Sequence, residues 1–114
     1  MGEMMLTAKA AVALFLMALA SGEAEAKRLQ PPARYDYPFE GTLRLIEVPK
    51  AFVTAECNAE AGYELGQQIR GCAFLNGPGD CTIILAKYAR ISSYSMLFRH
   101  EQAHCNGWPP DHPH

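Results

Sequence analysis

His100-Glu101-Gln102-Ala103-His104 carries two histidines and a carboxylate that an α-helix gathers onto one side. A helix turns about 100° per residue, so the two histidines share a face about one pitch apart. Both imidazoles can then reach a single Zn²⁺. The intervening Glu101 stands beside the metal, where it can take a proton from metal-bound water. All four histidines of the chain (His100, His104, His112 and His114) lie beyond position 99.

The spacing predicts a helix over Ser92 to Asn106, with Ser92, Ser93 or Ser95 as N-cap and Gly107 as the stop. Pro109 and Pro110 forbid its continuation. On a helical projection, Ala103, Met96, His100, His104, Leu97 and Glu101 fall within one sector of about 160°. Arg99, Gln102 and Asn106 lie opposite and mark a solvent face. Two histidines and a carboxylate in the middle of an apolar stripe each need a buried partner, which two ordinary core histidines would not find easily.

The first 26 residues read as a secretory signal peptide. Lys9 precedes an apolar run from Ala10 to Ala20, and Ala24-Glu25-Ala26 fits a small-x-small cleavage site. That run is too short to span a bilayer, which takes about 20 residues. Secretion or periplasmic export follows, with no stable membrane insertion once the signal is removed. Losing Glu3, Lys9, Glu23 and Glu25 with it leaves nine basic and nine acidic residues and no basic cluster, so nothing recommends nucleic acid as a partner.

Residues 27–40 are Pro-rich and predict an extended, poorly ordered lead-in to one domain over 41–114. Within that domain Gly41 to Val48 reads as a strand with Leu43, Leu45 and Val48 inward. Phe52 to Tyr63 reads as a short helix or irregular turn. Gln68 to Leu75 and Cys81 to Ala86 read as a hairpin closed by Asn76-Gly77-Pro78-Gly79-Asp80. The fold class is α+β: a short antiparallel sheet packed on the C-terminal motif helix.

A domain this small needs staples, and Cys57, Cys72, Cys81 and Cys105 supply them in an oxidising compartment. Four cysteines allow three connectivities, and zinc ligation by some of them is the other reading. Cys105 projects about 100° beyond His104, away from any metal the histidines share. A bond from it to the strand nearest in sequence favours Cys81–Cys105 and Cys57–Cys72.

The His100 to His112 segment resembles the zincin metallopeptidases. Its reading His100-Glu101-Gln102-Ala103-His104-Cys105-Asn106-Gly107 is similar to the H-E-x-x-H-x-x-G of the metzincin branch. That resemblance implies a third ligand just beyond the glycine. The corresponding position holds Pro110, with Asp111 and His112 one and two residues later. His112 would complete a three-histidine set; Asp111 would give a His₂Asp set or orient a ligand imidazole.

The resemblance further implies a Zn²⁺-dependent hydrolase of peptide or amide bonds, with Glu101 as general base and a peptide or protein as substrate. It also implies that the strand before the helix, Thr82 to Ala86, pairs with substrate, and that a tyrosine such as Tyr88 or Tyr94 can steady the oxyanion. The other reading is a non-catalytic structural zinc or interaction domain. Trp108 reads as a packing residue under the turn.

Overall fold

The computed structural model describes residues 29–87 and 91–114, the side chains of 91 and 92 excepted. The expected signal peptide over 1–26, the start of the lead-in and Tyr88 lie outside these residues. The domain is α+β: three strands, β1 (Thr42–Val48), β2 (Gly71–Gly77) and β3 (Asp80–Ala86), with two helices, α1 (Val53–Ala61) and α2 (Ile91–Cys105).

The sheet is mixed rather than antiparallel. Its order is β1-β3-β2, with β2 antiparallel to β3 and β1 parallel to it. The connection from β1 to β3 runs through α1 and β2, long enough for the crossover that a parallel pair demands. Cys81-Thr82-Ile83-Ile84-Leu85-Ala86 is buried at every position. A run of this kind, apolar but for Thr82 and buried throughout, belongs to a central strand covered on both faces. Cys81, Ile83 and Leu85 pack with Leu97 and Cys105 of α2. Ile84 and Ala86 pack on the other face with Val53, Cys57 and Cys72.

Both edges of β3 are occupied, by β1 and by β2. It therefore has no free backbone for the substrate pairing that the resemblance implied. A second difference concerns Leu45, expected inward but 41% exposed, as is Ile46. The cause is position: β1 is an edge strand, and α2 lies over β2 and β3. β2 also begins later than expected, after Gln68 enters the left-handed region at φ 55°. The hairpin is tighter too, because Gly79 at φ 68° lets the chain reverse while Gly77 and Asp80 still pair.

Each helix is stapled to the sheet by one disulfide. Cys57 of α1 joins Cys72 of β2, and Cys81 of β3 joins Cys105 at the end of α2. Among the described residues no helix is long and apolar enough to cross a membrane.

α2 starts at Ile91, so Ser92, Ser93 and Ser95 lie inside it rather than capping it. Its other end is a Schellman motif. Gly107 N donates to His104 O at 3.1 Å and Trp108 N to Ala103 O at 3.0 Å, with Gly107 left-handed at φ 102°. The motif turns the chain back, and Trp108 lands under the last helical turn, 2% exposed.

The lead-in is docked rather than loose. It carries one 3-10 turn (Ala33–Tyr35) and lies along the α2 face expected to meet solvent. Arg99 pairs with Asp36, and Gln102 Oε1 accepts from Phe39 N at 3.3 Å. Asn106 Nδ2 donates to Tyr35 O at 2.9 Å and to Tyr37 O at 2.7 Å. The residues that looked like a solvated stripe are thus the clamp for this strap. Leu29 and Phe39 pack against the α2 side of the core.

Candidate metal centre

α2 carries His100 and His104 one turn apart on its inward side, His100 8% exposed and Glu101 6%. After Trp108 the chain makes a reverse turn in which His112 N donates to Pro109 O at 3.0 Å. Pro110 at its second position suits such a turn, since its φ is already set. His112 then adopts φ 57° and returns toward the helix.

The outcome is a triangle of imidazole nitrogens. Nε2 of His112 lies 3.1 Å from Nε2 of His100 and 3.1 Å from Nε2 of His104, and the last two are 3.3 Å apart. These three residues are the group able to hold a metal ion among the described residues. Asp111 is exposed and not part of it. His114 packs edge-on to Trp108, with ring centroids 5.8 Å apart.

The tautomers follow from the partners. His100 Nδ1 donates to Leu29 O and His104 Nδ1 donates to Trp108 O, each at 2.8 Å. A carbonyl only accepts, so each Nδ1 carries the hydrogen and each Nε2 presents a lone pair. Burial lowers both pKa values, that of His100 to about 4, which keeps the rings neutral. Two inward lone pairs beside a third imidazole leave a single proton able to bridge one edge at most. One cation serves all three edges. In a tetrahedral site with bonds of about 2.0–2.1 Å, ligand atoms are about 3.3–3.4 Å apart, close to the spacing found here. Backbone carbonyls holding the distal nitrogens are also what metal-binding histidines require. The residues present fit a divalent metal.

Glu101 borders this triangle, its Oε1 3.8 Å from His100 Nε2. Burial pushes its carboxyl up to about 8, within reach of neutral pH. Gly71 on β2 leaves the room: a Cβ there would lie 3.4 Å from Glu101 Cγ and 2.6 Å from Leu85 Cδ2. The expected oxyanion group fares differently. Tyr94 packs into the core, and its pKa is raised by burial and by the Glu47 carboxylate of β1 that it faces.

Leu29 and Gly71 carry no signature in the sequence, because one contributes a backbone oxygen and the other an absent side chain. Trp108 was visible, but only as a packing residue. No protein-family model matches this chain, and no curated protein or solved structure matches it.

Proposed function

We propose that this protein is a zinc-dependent hydrolase of peptide or amide bonds, zincin-like in its use of the H-E-x-x-H helix. The observation that carries the reading is the convergence of three imidazole Nε2 atoms within 3.3 Å, with a buried carboxylate 3.8 Å from one of them. Three imidazoles suit zinc, copper or nickel; three protein ligands with an open position are the pattern of catalytic zinc. Zinc held there supplies Lewis acidity toward a carbonyl and lowers the pKa of water.

The remaining work falls to the chain. His100, His104 and His112 bind the ion, and the carbonyls of Leu29 and Trp108 keep two of those rings in the binding tautomer. Glu101, kept ionised by the positive charge of a bound cation nearby, takes a proton at its carboxylate and returns it to the leaving nitrogen. His112, the exposed member of the trio, leaves the outer side approachable. A structural zinc domain would bring a fourth side-chain ligand, and no fourth such group joins the cluster among the described residues.

One observation favours the non-catalytic reading: β3 is sandwiched between neighbours and offers substrate no edge. Metal analysis of purified mature protein, paired with a chelator-controlled hydrolysis screen, separates the two. Stoichiometric zinc with chelator-sensitive cleavage supports the hydrolase; stoichiometric zinc without cleavage leaves the structural domain.

A further inference from the structure

Three features of the C-terminal segment converge on one residue, Trp108, through its backbone carbonyl, its ring and its indole N–H. His104 Nδ1 is held by the Trp108 carbonyl at 2.8 Å. The Trp108 ring stacks on His104 at 14° with centroids 4.9 Å apart, and meets His100 and His112 edge-on at 5.0 and 4.9 Å. Its indole Nε1–H donates to Pro113 O at 2.9 Å. A non-glycine residue in the left-handed region persists only when its surroundings over-determine it. His112 is such a residue, at φ 57°, held on one side by the turn bond to Pro109 O and on the other by the Trp108–Pro113 bond.

We propose that Trp108 is the positioning residue of the three-histidine cluster: its indole N–H locks the Pro113 carbonyl and thereby sets His112 against His100 and His104. A Trp that only filled space beneath the helix end would need its area, not its N–H. Here the donor is spent on the residue after the third ligand, and the ring touches all three ligand imidazoles. The inference rests on reading the trio as a metal centre. It adds that the third ligand is delivered by a clasp, residues 108–113, closed by one side-chain hydrogen bond.

The test is a set of zinc titrations on the full mature chain against a competing chromophoric chelator, with Co²⁺ absorption as a second readout. Trp108→Phe keeps an aromatic ring and removes the donor. Replacing Trp108 by its benzothienyl isostere keeps the full bicyclic area and removes only the N–H, so it stays informative if Trp108→Phe folds poorly. Both should lose zinc affinity by about 10–100-fold, the range for groups that orient ligands. The isostere should keep the thermal midpoint of the metal-free protein within a few degrees and alter the Co²⁺ spectrum. His114→Ala leaves the Pro113 carbonyl and should bind as wild type. Wild-type affinity and an unchanged Co²⁺ spectrum in the isostere would overturn the proposal while leaving the metal site standing. A wild-type protein that binds neither metal would overturn both.

Discussion

His100 Nδ1–H donates to the Leu29 carbonyl, 71 residues away in sequence, at 2.8 Å. The innermost histidine of the candidate centre is therefore oriented by the N-terminal strap and not by its own helix. The strap is clamped by Arg99, Gln102 and Asn106, which sit on the same helix as two of the three candidate ligands. Docking of the strap should therefore be coupled to assembly of the site.

Asn106 makes two of the clamp's hydrogen bonds, so Asn106→Ala should release the strap without touching a ligand. Hydrogen exchange over residues 29–40 should accelerate, and metal affinity should fall by about tenfold, the low end of effects for groups that orient a ligand. Faster exchange with unchanged affinity would separate strap from site.

The two candidates for third ligand give opposite outcomes. His112→Ala should reduce affinity by orders of magnitude, because it removes one apex of the triangle. Asp111 is exposed and outside the trio, so Asp111→Ala should stay within a few-fold of wild type. Isothermal titration with zinc checks both. A larger loss from Asp111→Ala would put a carboxylate in the imidazole's place.

The staples should be separable as well. With sequence separations of 15 and 24, each disulfide should contribute about 3 kcal/mol of stability by chain entropy. Only Cys81–Cys105 pins the helix that carries the histidines. A Cys81→Ser, Cys105→Ser variant should lose both stability and metal affinity; Cys57→Ser, Cys72→Ser should lose stability alone. Denaturant unfolding beside metal titration reads the two quantities. Equal loss of affinity in both pairs would contradict this division of labour.

Much of this was legible in advance, and the reasons are physical. A four-residue spacing matches the helical period, so His100 and His104 had to share a face, and the apolar sector around them pointed inward. Gly107 followed by prolines announced the helix end. The run at Cys81 to Ala86, apolar but for Thr82, announced a strand, but not that β1 would pair parallel to it, since strand partners depend on the path of the intervening chain. Asp111 and His112 stayed open because adjacent residues differ only in backbone direction, and the left-handed turn that brings His112 in has no compositional mark. The strap was missed for a related cause: its tie to His100 is a main-chain oxygen, which every residue possesses.

Acid and base should act on the metal-free protein from opposite sides. His100 is held neutral in the fold down to about pH 4, and His104 is shifted in the same direction, against an ordinary value of 6.5. Below pH 6.5 the unfolded chain takes protons that the fold refuses, so this contribution is lost as pH falls toward 4. Glu101 keeps its proton in the fold up to about pH 8 but releases it near 4.5 when unfolded. Its contribution is complete below 4.5 and lost as pH rises to 8. With two histidines rising against one glutamate, stability from these groups should peak near pH 6.5 in chelator. Denaturant midpoints across pH 4–9 check this, and Glu101→Gln should flatten the alkaline side.

The most direct measurement compares wild type with Glu101→Gln at matched zinc loading, on short-peptide, casein-like and peptidoglycan substrates with a chelator control. The substitution preserves shape and removes the proton acceptor, so zinc content and folding should be unchanged while the rate falls by about 10²-fold or more. Chelator-sensitive hydrolysis in wild type that disappears in Glu101→Gln, with zinc still bound, is the predicted result. Equal rates in the two zinc-loaded proteins would contradict the account, and so would zinc-loaded wild type that cleaves none of these substrates.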